Sequence, residues 1–283
     1  MTPPVDAGPI RLEGYALHAG IPTTVMLAPH AGPVTLGRGH WRARLDQLRV
    51  VSTDAAVRVA GDDGNEIELV EHFLAALGGL GIRDGVAATI DGPEFPLLDG
   101  GARELADALA AMHLPSAAPA LLVARSGVLT YGASSYVFET GPRPEVAVEV
   151  DFAHRDIGRQ TANWAGDPAD FRERIARART FGFSRDAGDL RARGRAKLCW
   201  SSDPDARLAL ARGLLAYDAD SLVPGPAPPE PDEAARHKLL DLIGDLALYG
   251  GPPQGRIEAL RPGHTATHQI VPRALLLGLL CRG

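Results

Sequence analysis

Hydrophobic and polar residues alternate along the first sixty residues, in short runs separated by Gly, Pro and Asp. Thr23-Thr24-Val25-Met26-Leu27 and Val57-Arg58-Val59 are two such runs. Because side chains on a strand point to its two faces in turn, this pattern predicts several short strands between residues 9 and 60. A further strand is predicted at residues 86–90.

The hydrophobic period changes to that of a helix between residues 68 and 80. Apolar residues there recur three or four positions apart, and these are Leu69, Val70, Phe73, Leu74 and Leu77. Gly78, Gly79 and Gly81 supply a stop. A turn-rich segment at residues 91–100 then leads into a second predicted helix at residues 102–112.

The second half repeats this order after a predicted interdomain linker at residues 115–119. Strands are predicted at residues 121–123, 128–131 and 145–152, and helices at residues 168–179 and 233–249. The proline-rich residues 223–231 are predicted to form a mobile loop ahead of Asp232, the expected N-cap of the last helix. Strands followed by helices, twice, indicate an α+β fold with domains at residues 1–118 and 119–283. No sequence repeat is visible, so the duplication rests on element order alone.

Composition narrows the classes of function. The net charge, 29 basic minus 35 acidic residues or −6, argues against broad affinity for nucleic acid or anionic membranes. Cys199 and Cys281 are too few for a disulfide framework or a cysteine-based zinc site. The N-terminus lacks a basic and then apolar leader, and the longest apolar stretch, residues 274–280, is too short to span a bilayer. We therefore expect a soluble cytoplasmic protein.

Candidate metal ligands lie on the first and the last of the predicted helices. His237 and Asp241 are four residues apart and so share one helical face, although such pairs are often merely solvated or hydrogen-bonded. His72 must come from elsewhere in the fold, with Glu71 beside it. Two imidazoles and one carboxylate suit Zn²⁺ with one position open to water, and Fe²⁺ could occupy the same set. His264, in a turn after the helix, strengthens the prediction of hydrolytic metal chemistry.

Seven segments then occur in an order and with gaps similar to those of one known family. They are Gly14-Tyr15-Ala16-Leu17-His18-Ala19-Gly20, Val70-Glu71-His72 with Gly81-Ile82, Pro93-Glu94-Phe95-Pro96-Leu97-Leu98-Asp99-Gly100, Asp151-Phe152-Ala153-His154, Arg177-Ala178-Arg179-Thr180-Phe181-Gly182-Phe183, Arg236-His237-Lys238-Leu239-Leu240-Asp241 through Leu246, and Gly263-His264. The chain resembles the zinc-dependent UDP-3-O-acyl-N-acetylglucosamine deacetylases, which perform the committed step of lipid A synthesis. The resemblance implies two similar two-layer α/β domains whose helices face each other, with the active site at their junction.

The resemblance also implies catalytic roles. Zinc held by His72, His237 and Asp241 would activate the substrate amide and a water molecule, and Glu71 would take a proton from that water. His264 matches the residue proposed to protonate the leaving nitrogen, and Asp245 could keep His264 protonated. Whether Glu71 acts alone as base and acid stays open, and Asp245 could instead be an ordinary helix carboxylate.

Substrate contacts are implied in the same way. Thr180 matches a residue that stabilises the oxyanion, or it is simply a polar residue at a strand end. The predicted contacts with a nucleotide sugar, acylated or not, are Lys238 and Arg261 on its phosphates, Phe152 on the uracil, and Phe181, Phe183 and His18 beside them. Phe152 and His18 fit packing roles equally well. The histidines at 30, 40, 113, 154 and 268 are interpreted as surface or packing residues, with His154 the strongest exception, and we expect a monomer.

The chain departs from the family at walls that face the substrate. Residues 197–204 replace a glycine-rich stretch, and Trp200 there could narrow a passage. Leu69 replaces a usual Thr, and Gly101 a usual Ser. A divergent relative that removes acetyl from another amino sugar or nucleotide sugar is therefore the first alternative. A binding protein without activity is the second.

Overall fold

Two five-stranded mixed sheets dominate the fold. The computed structural model describes residues 8–217 and 228–283. The strands of the first half are β1 (Ile10–Tyr15), β2 (Pro22–Pro33), β3 (Thr35–Arg38), β4 (Trp41–Arg44), β5 (Arg49–Ser52), β6 (Arg58–Ala60), β7 (Glu66–Glu68) and β8 (Asp84–Ile90). Its helices are α1 (Glu71–Leu80) and α2 (Arg103–Ala111). The strand predictions for this half are confirmed, including the one at residues 86–90.

The second half holds the remaining elements. Its strands are β9 (Leu121–Val123), β10 (Gly127–Tyr131), β11 (Ser134–Glu139), β12 (Pro144–Phe152), β13 (Gly158–Trp164), β14 (Thr180–Phe183), β15 (Leu214–Tyr217), β16 (Gly255–Leu260) and β17 (Leu280–Arg282). Its helices are α3 (Pro168–Asp170), α4 (Ala187–Ala192), α5 (Pro204–Gly213), α6 (Glu233–Ala247) and α7 (His264–Leu276). None of the helices in these described ranges has the length and hydropathy of a membrane span.

The two large sheets share one strand order. The first sheet runs β1-β2-β8-β3-β4, and the second runs β10-β11-β16-β12-β13. In each sheet the third and fourth strands are parallel and every other pair is antiparallel. Both halves place a strand from late in their own sequence at the centre of the sheet, so the predicted α+β class is confirmed.

Helices α1 and α6 pack against each other and carry the predicted metal ligands, His72 on α1 and His237 with Asp241 on α6. One hydrophobic core runs through both halves, since Phe73 and Leu77 of α1 belong to the same buried cluster as Leu239 and Ile243 of α6. Three smaller sheets complete the described fold, and the antiparallel pair of β9 and β17 is one of them. The antiparallel strands β5, β6 and β7 form another sheet, which precedes α1 in the sequence. The parallel strands β14 and β15 pair with each other, and α4 and α5 lie between them in the sequence.

Three sequence expectations need correction. The first predicted helix begins at Glu71 rather than at residue 68, because Glu68 completes β7 and Leu69 takes a positive φ of 57°. The helix predicted at residues 168–179 ends at Ile175, in a wider π-type turn, and Thr180 already belongs to β14. Asp232 does precede α6, but its carboxylate accepts a hydrogen bond from Arg236 rather than from the helix backbone.

The predicted mobile loop at residues 223–231 falls largely outside the described residues, which resume at residue 228. Strands β11 and β13 were not predicted from the sequence. Pairing inside the second sheet, rather than local pattern alone, explains why they form.

Candidate active site

The three predicted metal ligands meet between α1 and α6. One potential ligand atom from each of His72, His237 and Asp241 lies within 4.8 Å of the others, and all three side chains are buried. Asp241 Oδ1 is 3.4 Å from His237 Nε2 and 3.9 Å from His72 Nε2. Two ligands bound to one tetrahedral zinc ion lie roughly 3.4 Å apart, so these separations are close to those of a metal site.

Two glycines allow the helices to bring these residues together. A Cβ atom at Gly244 of α6 would lie 2.2 Å from the Glu71 carbonyl oxygen at the start of α1. At Gly78 of α1 it would lie 3.2 Å from the side chains of Ile243 and Ala247. The absence of side chains at both positions therefore permits the backbones to approach, and this approach places His72 opposite His237.

Hydrogen bonding and burial prepare the cluster for a cation. His237 Nδ1 lies 3.0 Å from the Ala178 carbonyl oxygen, which can only accept, so Nδ1 carries the proton and Nε2 presents a lone pair. Burial lowers the pKa of His72 to about 3 and also lowers the pKa of His237, which favours the neutral, ligating imidazole. Burial opposes ionisation of Asp241, but its neighbours His237 and Lys238 favour the ionised carboxylate and hold its pKa below the usual range.

The buried oxygen of Asp241 tests whether a metal fits. Asp241 Oδ1 is buried and accepts no hydrogen bond from the described residues. A buried carboxylate oxygen without a donor is costly unless a cation compensates it. Two neutral imidazole nitrogens flank this oxygen, so the residues fit a divalent metal ion.

Glu71 and His264 lie at the edge of the cluster. Glu71 Oε2 accepts a hydrogen bond from the Val57 amide at 3.0 Å, while Oε1 is 3.8 Å from His264 Nε2. His264 Nε2 is also 3.8 Å from Asp241 Oδ2. The two predicted acid-base residues thus approach each other and one of the metal ligands.

Burial and charge affect these two residues differently. Burial raises the pKa of Glu71 to about 7, with the charge of His264 opposing the rise and that of Asp241 adding to it. Burial favours neutral His264, but the charges of Asp245, Asp241 and Glu71 outweigh it and raise the pKa of His264 to about 10. Near neutral pH, Glu71 can accept a proton while His264 holds one.

Asp245 contacts two histidines rather than one. Both of its carboxylate oxygens lie 3.0 Å from His264 Nδ1. His268 Nε2 lies 3.2 Å from Oδ1, and Asp245 itself is 1 % exposed. The interpretation of Asp245 as an ordinary surface carboxylate is therefore wrong. The sequence analysis did not predict the contact of His268 with Asp245, although its four-residue spacing from His264 was a usable signal.

Aromatic residues and a lysine border the cluster. Phe181 packs edge-on against His237, with ring centroids 6.0 Å apart, and against Phe152 at 5.4 Å. Phe183 contacts Phe152 as well. Lys238 Nζ lies 2.6 Å from Asp241 Oδ2 and 5.4 Å from the centre of the Phe181 ring. These four predicted substrate residues therefore form a continuous wall next to the ligands.

Thr180 adjoins this wall in the sequence, and the described contacts of Arg261 are with residues of the second sheet. Thr180 is the first residue of β14, directly before Phe181, and is half-buried. Arg261 has a positive φ of 48° and pairs with Asp151 at 2.6 Å. Asp151 precedes Phe152 on β12, and successive side chains of a strand point to opposite faces of the sheet, so this ion pair lies on the other face from Phe152.

His18 and Trp200 have other surroundings. His18 Nδ1 accepts a hydrogen bond from the Ala196 amide, and burial, helped by the charge of Arg195, lowers the pKa of His18 to about 4. Its described contacts do not include the three metal ligands. Trp200 is 41 % exposed, with Arg191 stacked 4.7 Å from its ring centre, so the ring is partly at the surface.

A family model and individual known proteins that match this chain carry nearly the same description. A family model described as UDP-3-O-acyl N-acetylglycosamine deacetylase matches residues 7–276. A protein named UDP-3-O-acyl-N-acetylglucosamine deacetylase from Myxococcus xanthus is 33 % identical over 276 residues, covering 93 % of this chain and 83 % of its own. The protein of that name from Synechocystis is 32 % identical over 279 residues, covering 94 % and 95 %.

Proposed function

Because this chain belongs to the UDP-3-O-acyl N-acetylglycosamine deacetylase family, we propose that it hydrolyses the acetamide of UDP-3-O-acyl-N-acetylglucosamine. Acetate and the free amine are the products, and the reaction commits the sugar to lipid A. The observation that carries the proposal is the buried cluster of His72, His237 and Asp241 with Glu71 and His264 at its edge.

His72, His237 and Asp241 would hold a Zn²⁺ ion, and Fe²⁺ suits the same donors. The bound ion would polarise the amide carbonyl and make water more acidic. The neutral imidazoles and the Asp241 oxygen without a donor support this assignment. Lys238 is paired with the other oxygen of Asp241, which fixes the orientation of that carboxylate.

Glu71 is the proposed general base. Its Oε2 is held by the Val57 amide, so the carboxylate has one anchored oxygen and one free to take a proton from the attacking water. A base works best when its pKa lies near the working pH, and burial brings the pKa of Glu71 to about 7.

His264 is the proposed general acid. Without a proton the nitrogen would have to leave as an anion, which is a poor leaving group, so it must be protonated as the tetrahedral intermediate collapses. The raised pKa of His264, about 10, keeps its imidazole charged, and Asp245 fixes the ring through Nδ1. Nε2 is then the nitrogen that can donate a proton to the substrate. Glu71 acting as both base and acid remains the alternative.

The neighbouring residues are proposed to bind substrate. The Thr180 hydroxyl would donate to the developing oxyanion. Lys238 and Arg261 would contact the diphosphate, and Phe152 with Phe181 and Phe183 would pack on the uracil. His18 stays a predicted substrate contact, since its described contacts are with other residues. The shared strand order of the two sheets also supports a division into domains at residues 1–118 and 119–283. The monomeric state stays a prediction.

The substrate is tested by comparing UDP-N-acetylglucosamine with its 3-O-acylated form at equal concentrations. We expect acetate release from the acylated substrate to be much faster, because the substrate named for the relatives carries that acyl group. Equal rates would favour the alternative, deacetylation of another nucleotide sugar. That alternative draws on residues 197–204, where the chain departs from the family. If neither compound released acetate from metal-loaded protein, the proposed reaction would be wrong.

A further inference from the structure

His268 and Tyr249 extend the contacts of Asp245 away from the substrate side. His264 and His268 are four residues apart on α7, so one face of this helix presents both imidazoles to Asp245 on α6. In the described part of the chain, these two histidines are the side chains in hydrogen-bond or ion-pair contact with the Asp245 carboxylate. Asp245 therefore depends on His268 as well as on His264 for compensation of its buried charge.

The orientation of His268 is set by Tyr249. The Tyr249 hydroxyl lies 2.8 Å from His268 Nδ1, and burial and the nearby Asp245 charge raise the pKa of Tyr249, so it retains its proton. That proton can be donated to Nδ1, which leaves the Nε2 proton of His268 for Asp245. Nε2 lies 3.2 Å from Oδ1, which is within hydrogen-bond distance, although the alignment of the two groups falls short of a full hydrogen bond.

We propose that His268, oriented by Tyr249, is a positioning residue that holds the Asp245 carboxylate in place for His264. Without His268, Oδ1 would keep only its share of the His264 contact, and a buried carboxylate would turn to regain a donor. Rotation of Asp245 would misdirect the His264 ring and move Nε2 away from Glu71 and Asp241. This inference rests on the proposed role of His264 in turnover.

His268 and Tyr249 are separate from the substrate wall. Both line a cavity of about 760 Å³ between the two halves, whose walls contain neither the metal ligands nor Glu71, His264 or the aromatic wall. A substitution at His268 should therefore change the rate of the chemical step and leave substrate binding unaffected.

The test compares His268→Leu with His268→Gln in the metal-loaded enzyme. Leu removes both ring nitrogens, and we expect kcat to fall about tenfold, as when a hydrogen-bond partner behind a reacting group is lost, with KM within about twofold of wild type. Gln can place an N–H near the position of Nε2, so it should restore most of kcat. Gln269→Leu is the matched control, because Gln269 lines the same cavity without contacting Asp245 in the described residues.

Tyr249→Phe supplies a second, milder variant. Alone it should lower kcat by less than His268→Leu, and in the His268→Leu background it should have no further effect, because the two residues act through one contact. This variant carries the test if His268→Leu does not fold. Unchanged kcat in both variants, or Leu and Gln behaving alike, would overturn the inference.

A spectroscopic readout separates this inference from the proposed function. In protein labelled with ¹⁵N-histidine, the N–H of His264 that faces Asp245 should give a downfield proton signal, which should shift or broaden in His268→Leu but not in Gln269→Leu. An unperturbed His264 signal would contradict the positioning role, even if the wild-type enzyme acted on a different substrate. An inactive wild-type protein with the expected shift would instead place the fault in the proposed function.

Discussion

At the residue scale, burial explains the chemistry of the site better than exposed charge does. Glu71, His264 and Asp245 are nearly removed from water, so each proton is controlled by a few neighbouring groups. An unpaired charge in such buried surroundings, where water cannot solvate it, destabilises the folded state, which explains why these groups contact one another. Changes that remove one member should therefore have large and specific effects.

Glu71→Gln should abolish most turnover and leave metal binding intact. The amide keeps the side-chain volume and can still accept from the Val57 amide, but it cannot take a proton from water. We expect a loss of about 10² to 10⁴ in kcat, the usual contribution of a general base. Acetate release and metal content, measured on the same sample, check this. Glu13→Gln is the control, because Glu13 is an exposed residue of β1. Retained activity in Glu71→Gln would show that another group is the base.

Glu94 should make stability depend on pH. Its Oε1 accepts hydrogen bonds from the amides of His18 and Ala19, whereas Oε2 is buried and has no donor among residues 8–217 and 228–283. Burial raises the pKa of Glu94 to about 7. Because the folded pKa exceeds the unfolded value of 4.5, the stabilising contribution is complete below about pH 4.5 and is lost as pH rises through 7.

Glu94→Gln should therefore gain free energy of unfolding relative to wild type between pH 5 and pH 8, by on the order of 2 kcal/mol. Urea denaturation at both pH values measures this difference. A difference that stays constant with pH would show that Glu94 ionises normally in the folded protein.

At the element scale, the close contact of α1 and α6 determines the site geometry. The helical period predicted both helices, and the spacing of His237 and Asp241 predicted one ligand pair. The sequence pattern placed the start of α1 three residues early. Glu68 belongs to β7 because it pairs with Arg58 of β6, and this contact lies outside the segment that carries the helical period. The closeness of the helices was not predictable either, since Gly78 and Gly244 resemble ordinary helix interruptions until the opposite backbone is known.

Gly244→Ala should push the helices apart. The added Cβ would meet the Glu71 carbonyl oxygen at 2.2 Å. That oxygen is part of the α1 backbone and the Cβ is fixed to the α6 backbone, so neither atom can turn aside. We expect a loss of about 1–3 kcal/mol in free energy of unfolding and weaker metal binding. Gly188→Ala in α4 is the matched control, since nothing lies within 4 Å of its Cβ position. Equal behaviour of the two variants in urea denaturation and metal titration would contradict the proposed constraint.

At the scale of the whole molecule, the proposed metal ligands connect the two halves of the chain. His72 comes from the first half, and His237 and Asp241 from the second. Sequence spacing alone indicated that His237 and Asp241 share one helix face. The position of His72 beside them and the surroundings of Asp245 depend on tertiary structure. The contact of His268 with Asp245 shows the same limit, because a histidine on a helix face is usually a surface or packing residue.

Removal of the metal should lower the stability of the whole protein. A cation that binds only the folded state adds free energy of unfolding, about 4 kcal/mol when its concentration is 1,000 times Kd. We expect a chelator to lower the Tm of wild type and to leave His237→Ala unchanged, because that variant has lost a ligand. Differential scanning calorimetry with metal analysis measures both, with His40→Ala as the control. A chelator that shifts both proteins equally would act by another route.

The two glycines between α1 and α6 also matter to anyone who wishes to engineer this protein. Gly244 accepts little beyond a hydrogen atom, since an added methyl group would meet the opposite backbone at 2.2 Å, and at Gly78 it would press on Ile243 and Ala247 at 3.2 Å. Replacing helical glycines is a common way to make a protein more heat-resistant. Mutant libraries built for that purpose should keep these two codons fixed and draw their diversity from the outer surfaces instead.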